Sequence, residues 1–591
     1  MDHETFERRL VVLFTAVVAL LAVLAVRLWQ VQVVQGDYFA RLADENRLRV
    51  TSVAAPRGLI IDRAGRPLVV NRPAFTVALM PTEMVRPDEE IPRVARLLSM
   101  DPADIRQRLA AGRERPFEPV RLRRDVPKDV IAAIEESRMD LPGVLIEIEP
   151  VRDYLYRELG AHMLGYLGEI SDADLRRFRA DGYEAGDLIG KAGVERVYDR
   201  YLRGRSGELQ AEVDAMGRLS RTLRTIPAVP GDTLVLGIDL PMQQAAEAAL
   251  GNRLGAVVAM DPQTGAVEAW VSHPAFDPDL FSTGIHARDW NALLHDPRQP
   301  LIDRAAQAGY PTGSVFKIVT ATAALELGLV NAGTGFYDPG YYNLNGRIFH
   351  DNANEAFGHL SFLQAIAVSS NVVFWTIGRA VGPEHISEYA HLYGLGSRTG
   401  VDLPDEIAGV VPDPAWKRRV YHQPWYGGDT LNTAVGQGYV LVTPIQAARM
   451  VAAVANGGTL VTPHIAVEIR APGGQVVERI APPPAGHVPL GPQTLATLRA
   501  GLAAVVTRGT ATSIQIPGLA VAGKTGTAES GHGKPYAWFV GYAPADDPKL
   551  VVVAMVEHAG YGAEFAAPIV QRVLEAAFGL TPAAQPGDPK P

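Results

Sequence analysis

Lys317 lies three residues after Ser314 in Pro311-Thr312-Gly313-Ser314-Val315-Phe316-Lys317, and it is one of only eight lysines in a chain with 48 arginines. Arginine keeps its proton in any protein environment, whereas a buried lysine can lose it and become a base. A serine hydroxyl within reach of a neutral amine is an activated nucleophile, the pairing that acyl transfer needs. Pro311-Thr312-Gly313 interrupts what precedes it, and Ser314 to Leu327 has helical composition. This predicts Ser314 at a helix N-terminus with Lys317 one turn along the same face. Free N–H groups at a helix start can stabilise an oxyanion, and the helix dipole together with burial lowers the lysine pKa. Taken alone, the pattern is also that of an N-cap followed by a surface lysine.

Two further clusters share this chemistry. Ser369-Ser370-Asn371 stands between a predicted amphipathic helix, Leu360 to Ala367, and the apolar run Val372 to Ile377. There Ser369 could pass a proton between Lys317 and a leaving amine, and Asn371 could hydrogen-bond a substrate amide. An ordinary polar turn has the same composition. Lys524-Thr525-Gly526-Thr527 follows Leu519-Ala520-Val521-Ala522 and so sits on or beside a strand. An edge strand offers unpaired backbone groups to a peptide, and Gly526 removes a side chain where a substrate must come close. Lys524, Thr525 and Thr527 together suit a terminal carboxylate. The order of the three clusters along one region makes coincidence a poor account of them.

The elements that must position these residues read as an α+β region. Its boundary falls near Pro230-Gly231-Asp232. Thr233 to Leu240 reads as a strand and Gln243 to Leu250 as a helix. Ala256 to Met260 and Ala266 to Val271 form a hairpin around Asp261-Pro262-Gln263-Thr264-Gly265. Leu519 to Val521, Ala537 to Tyr542 and Leu550 to Val556 read as three more strands, and Ala567 to Phe578 as a closing helix. Strands at both ends with a helical middle predict an antiparallel sheet flanked by helices. Residues 581–591 are too rich in proline to pack and are expected to be disordered.

Upstream, Leu10 to Val26 is apolar except for Thr15, and apolar character continues through Val34, with Trp29 beside Arg27. Residues 10–34 are expected to be an uncleaved transmembrane anchor, since no small-residue cleavage site follows the run. Residues 1–9 form a short tail, and 35–230 an elongated scaffold with an inserted, Arg-, Glu- and Pro-rich head at about 75–150. Ala64-Gly65 marks a hairpin there, Ile91 to Leu98 an amphipathic helix, and Glu208 to Val213 a strand. No catalytic constellation is visible before residue 230. The net charge is -9, and no basic run of five appears, which argues against nucleic-acid binding. Cysteine is absent, which excludes disulfides, thiolate catalysis and thiolate metal sites.

The three clusters resemble those of the penicillin-binding proteins, S-x-x-K, S-x-N and K-T-G in that order. The similarity extends to Trp425-Tyr426-Gly427-Gly428-Asp429, Gly436-Gln437-Gly438-Tyr439 and Trp538-Phe539-Val540-Gly541-Tyr542. The N-terminal half resembles the pedestal of class B members through Pro56-Arg57-Gly58, Asp62-Arg63 and Gly193 to Asp199, closest to the elongation-type penicillin-binding protein 2. The resemblance implies a transpeptidase domain at 231–580 on a pedestal. It implies Ser314 as nucleophile, Lys317 as its base, Ser369 and Asn371 as the second motif, and Lys524, Thr525, Gly526 and Thr527 as the carboxylate-binding strand. Backbone N–H groups of Ser314 and Thr527 would form the oxyanion hole. It further implies a single-pass protein of the bacterial plasma (inner) membrane with a periplasmic catalytic domain. Peptidoglycan stem peptides ending in D-Ala-D-Ala would be its substrates, β-lactams its inhibitors, and a SEDS-family glycan polymerase with other elongation-complex proteins its partners. No cofactor is expected. Some members of that type hold zinc with two Asp, one His and one Cys. Asp338, Asp351 and His359 fall in the corresponding stretch without a cysteine, and no metal site is assigned. A β-lactamase would need a Glu-x-x-Leu-Asn loop, but Gly428 precedes Leu431-Asn432 at that spacing. A DD-carboxypeptidase, and a β-lactam sensor or scaffold, remain as alternatives.

Overall fold

The computed structural model describes residues 3–35, 48–111, 119–183, 186–213, 219–351 and 355–581. The expected disordered tail therefore lies, beyond Thr581, outside the described residues. The chain forms two compact units. The first comprises Met1–Pro56, Pro73–Pro150 and Gly204–Pro230. It includes one helix long and apolar enough to cross a membrane, Leu10–Val34, with a mean hydropathy of 2.7. A three-stranded antiparallel sheet orders Leu48–Val53, Gly207–Val213 and Leu219–Ile226, with Gly207–Val213 at its centre. The inserted head has its own small core. Helices Pro87–Leu98 and Lys128–Glu136 supply Val94, Leu98 and Ile134, which meet Val77, Leu122 and Leu141.

The second unit comprises Arg57–Arg72, Val151–Arg203 and Gly231–Pro591. Two stretches expected in the pedestal, 57–72 and 151–203, thus pack with the region that carries the chemistry. Pairing of Ile60 and Ile61 with Leu234 and Val235 joins the first stretch to that region, and buried charge ties the two stretches to each other. Glu195 is fully buried and accepts from Arg152 Nε at 2.7 Å and Arg57 Nη2 at 2.6 Å, while Arg57 also reaches Asp199 at 2.9 Å. Arg152 Nη1 donates to Gly58 O at 2.6 Å. Burial alone would raise the Glu195 pKa, but Arg152 and Arg57 hold it below the usual carboxylate range. The Arg57-Gly58 and Gly193-to-Asp199 motifs of the sequence therefore meet in one ion cluster.

The centre of this unit is a five-stranded antiparallel sheet. Its strands are β1 (Gly255–Met260), β2 (Val267–His273), β3 (Ala522–Ala528), β4 (Tyr536–Ala543) and β5 (Leu550–Val556), in the order β2-β1-β5-β4-β3. β5 is apolar throughout because both its faces are buried. Val552 and Ala554 face one core, with Ile569, Val573 and Leu574 of helix α8 (Ala567–Ala577) and Met242 and Leu250 of α1 (Leu240–Leu250). Val553 and Met555 face the other core.

That second core holds the helices of the site. They are α2 (Lys317–Glu326), α3 (Phe362–Val368), α4 (Asn371–Val381), α5 (Gly427–Ala434), α6 (Pro444–Asn456) and α7 (Pro492–Arg508). Every residue of α6 from Pro444 to Ala455 is buried, so it forms the interior support of the layer. The strand expected at Leu519 to Val521 starts instead at Ala522 and runs through Lys524-Thr525-Gly526-Thr527 itself, pairing with β4 from Ala522↔Tyr542 to Ala528↔Tyr536. Leu519 makes only an isolated bridge to Ile516. The apolar run thus leads into the strand, and register with β4 decides its extent.

Removing Glu195 leaves Arg152 buried without its carboxylate. Glu195→Ala is expected to cost on the order of 3–5 kcal/mol, read as a lower unfolding midpoint in urea. Arg152→Met with Glu195→Leu should recover much of that loss, because the uncompensated charge is then gone.

Candidate functional site

The turn at Ser314 departs from a single helix. Gly313–Phe316 is a 3-10 turn, and the α-helix α2 begins only at Lys317. The tighter turn follows from Gly313, whose φ of 54° lies in the left-handed region. A Cβ on Gly313 would stand 2.4 Å from Thr527 O and 3.2 Å from Thr527 N, and a Cβ on Gly526 would stand 2.4 Å from Thr312 O. Only glycine at both positions lets β3 lie directly against the serine turn. Gly313 N donates to Gly436 O at 2.9 Å, and Trp538 Nε1 to Pro311 O at 3.0 Å, which pins the turn from two further sides.

Ser369 and Ser370 occupy the elbow between α3 and α4. Ser369 closes α3 with a φ of 61°, and Ser370 caps α4 by accepting from Val373 N at 3.1 Å. Ser370 Oγ also donates to Asp338 Oδ2 at 2.5 Å, and Asp351 Oδ2 accepts from Asn371 N at 2.8 Å. The two aspartates thus hold the elbow by its hydroxyl and its backbone. Asp338 is fully buried, and Asp351 nearly so. His359 lies exposed on a strand with its ring against Tyr337. Among the described residues no group of three or more His, Asp or Glu could hold a metal ion.

The structure brings Lys317, Ser369, Asn371 and Lys524 into one buried hydrogen-bond chain. Lys317 Nζ donates to Ser369 O at 2.6 Å, to Asn371 Oδ1 at 2.7 Å and to Ser369 Oγ at 3.2 Å. Lys524 Nζ donates to the same Ser369 Oγ at 2.8 Å and to Thr525 O at 3.3 Å. Both lysines are almost completely buried. Burial pulls the Lys317 pKa down to about 7, against the opposing pull of Asp351 and Asp338. Burial, and then the charge of Lys317, push Lys524 well below its ordinary value.

The bonding pattern shows what the neutral amine would do. Ser369 O and Asn371 Oδ1 are acceptors only, so the two N–H groups of a neutral Lys317 are committed to them. Its lone pair is then left for a hydroxyl. Among the described residues the Ser314 hydroxyl has no hydrogen-bond partner, Lys317 included.

β3 divides by face. Lys524 reaches into the hydrogen-bond chain. Thr525 Oγ1 pairs with Thr510 Oγ1 at 2.6 Å, and Thr527 Oγ1 accepts from Gly562 N at 3.3 Å, so both threonines have neighbours in place. Gln437 Nε2 reaches Thr527 O at 3.5 Å. Sequence reasoning missed Thr510 and the hydrogen-bonding service of Asp338 and Asp351. Thr510 carries no local signal, since it reaches Thr525 only through the end of α7.

Residues 255–575 match the penicillin-binding protein transpeptidase domain and residues 52–236 the penicillin-binding protein dimerisation domain. The chain is 34% identical over 578 residues to the peptidoglycan D,D-transpeptidase MrdA of Acinetobacter baumannii, covering 94% of this chain and 85% of the relative. Its fold is similar to penicillin-binding protein 2 of Helicobacter pylori, solved in complex with MreC, at a TM-score of 0.79 and 27% identity over 90% of this chain and 99% of the other. It is also similar to a chain of a peptidoglycan synthase complex that coordinates polymerisation and crosslinking, at a TM-score of 0.73 and 31% identity over 98% of this chain and 99% of that one. With both halves matched and the three clusters gathered at one buried site, the chain belongs to the class B penicillin-binding proteins, of the penicillin-binding protein 2 type.

Proposed function

We propose that this chain is a peptidoglycan D,D-transpeptidase acting through a serine acyl-enzyme in cell-wall elongation. The observation that carries the reading is the buried chain Lys317–Ser369–Lys524 beside an unengaged Ser314 hydroxyl. Neutral Lys317 takes the Ser314 proton as Oγ attacks the carbonyl of the penultimate D-Ala. The C–O bond forms, the C–N bond to the terminal D-Ala breaks, and the departing amine takes a proton relayed through Ser369 from Lys317. Backbone N–H groups of Ser314 and Thr527 hold the oxyanion between these steps. Lys524, with Thr525 and Thr527 after release from their resting partners, receives the terminal carboxylate. A second stem amine then attacks the ester, and the cross-link forms as Ser314 is regenerated.

The setting follows the family. The apolar helix Leu10–Val34 anchors the chain in the bacterial inner membrane, with the catalytic unit on the periplasmic side. Residues 35–230 serve as a pedestal, and a SEDS-family glycan polymerase and an MreC-like protein are its proposed partners. β-Lactams, whose strained amide is attacked by the same hydroxyl, are its proposed inhibitors.

The deciding experiment is labelling of the full-length protein by a fluorescent penicillin. A stable covalent band is expected, with complete loss in Ser314→Ala. A band that forms and decays within minutes would identify a β-lactamase instead. Lys317→Ala should slow acylation by about 10²–10⁴-fold, the usual worth of a positioned base. The pH profile follows from the sign of the shift. The amine is active when neutral, and its pKa is lowered to about 7. Acylation should therefore be near its plateau above pH 8 and fall about tenfold per unit below pH 6. A profile that stays flat from pH 5 to 9 would remove Lys317 as the base.

A further inference from the structure

The motif Trp425-Tyr426-Gly427-Gly428-Asp429 and the ring of Tyr439 have no part in the chemistry above. They build a platform of aromatic rings with the helix Pro414–Tyr421. Trp416, Tyr421 and Tyr439 pack pairwise with centroids 4.8 to 5.6 Å apart. Lys417 is 2% exposed and lies 4.8 Å from the Tyr426 ring and 5.5 Å from that of Tyr439. Its ammonium is paired with Asp429 at 2.5 Å, and the same carboxylate oxygen accepts from Tyr426 N at 2.7 Å. A buried ion pair thus fixes the rings from beneath. Tyr421 and Tyr426 are nevertheless 46% and 58% exposed, which leaves ring surface open to solvent.

We propose that this platform is a saccharide subsite that holds the glycan bearing the stem peptide. Sugar rings present one face of C–H groups that stacks on an aromatic face, and their hydroxyls need no charged partner, so a rigid, exposed, charge-neutralised set of rings suits them. Reach supports the assignment. Gly313, the residue before Ser314, donates its N–H to Gly436 O, and Tyr439 lies three residues beyond Gly436, so its Cα stands at most about 11 Å from that of Gly436. An extended four-residue peptide spans at most about 13–14 Å. A stem peptide with its penultimate D-Ala at Ser314 is thus of the same order of length as the path from the serine turn to Tyr439. The same composition of Tyr and Trp also occurs in protein–protein interfaces, and the continuity with the serine turn favours the glycan.

The inference rests on the proposed transpeptidase reading, and the test separates the two. D-Ala release by the full-length protein is compared for a free pentapeptide ending in D-Ala-D-Ala and for the same peptide carried on GlcNAc–MurNAc. The parent should favour the sugar-bearing substrate by about tenfold in kcat/KM. The preference should collapse toward one in Tyr421→Ala/Tyr426→Ala and return in Tyr421→Phe/Tyr426→Phe. A peptide-free GlcNAc–MurNAc tetrasaccharide should inhibit turnover of the sugar-bearing substrate by the parent, a readout that needs no variant. Equal rates for the two substrates in the parent, or a preference untouched by ring removal, would overturn the subsite. A tetrasaccharide without effect would do the same and leave the rings to a protein partner. Absence of penicillin labelling in the parent would instead count against the transpeptidase reading itself.

Discussion

Two lysines buried around one serine hydroxyl set the terms for the rest of this site. Desolvation of an ammonium is costly unless it is paired, and among the described residues the hydrogen-bond partners of Lys317 and Lys524 are neutral oxygens rather than carboxylates. The energetically accessible way to keep both inside is for at least one to give up its proton. The negative charges that raise the Lys317 pKa against burial, Asp351 and Asp338, are themselves bound to Asn371 N and Ser370 Oγ. They temper the lysine without quenching it. A direct ion pair would hold Lys317 charged and so unable to accept a proton. An arginine at either position would stay protonated, which is why eight lysines among 48 arginines are informative here.

Such a cluster stays together only if the backbone around it is over-determined. Three segments far apart in sequence meet there: the turn at Gly313, the elbow at Ser369 and the edge strand at Gly526. The contacts between the first and third leave no space for a Cβ on either glycine. The elbow is fixed by two helix ends that abut, one closed by Ser369 in the left-handed region and the next opened by the Ser370 cap. β5 and α6 take up the load behind them, since every residue of β5 and all of α6 from Pro444 to Ala455 are buried in close packing.

Much of this was legible in the residues, and the exceptions share a cause. β5 and the hairpin of β1 and β2 follow from runs of apolar residues around a turn, a local signal. Ser314, Lys317, Ser369 and Lys524 stand out in the sequence because their side-chain chemistry is rare in combination, and the structure joins the last three by hydrogen bonds. The start of β3 was misplaced because the sequence shows hydrophobicity, whereas the strand is defined by pairing with Tyr536–Ala543, which is not local. The 3-10 turn at Gly313–Phe316 was hidden for the same reason. Its composition is helical, and contact with Thr527 and Gly436 tightens it. Glu195 and Asp199 read as scaffold until Arg57 and Arg152, from distant segments, were seen to converge on them.

The ion cluster at Glu195 and the lysine cluster at Ser369 solve opposite problems with the same physics. At Glu195 two guanidiniums, which cannot neutralise, surround a carboxylate held below its ordinary pKa, and the result is a fixed charge that locks segments together. At Ser369 two amines, which can neutralise, surround a hydroxyl, and burial lowers the pKa of both. The choice between arginine and lysine in a buried setting therefore separates the part of this chain that must hold still from the part that must react. The lysine–aspartate pair under Tyr426 and Tyr439 belongs with the first kind, because Asp429 keeps Lys417 above its ordinary pKa although burial alone would lower it. By that criterion the aromatic platform is built to present a surface and not to exchange protons, which is the property a carbohydrate-holding subsite beside an acyl-transfer centre requires.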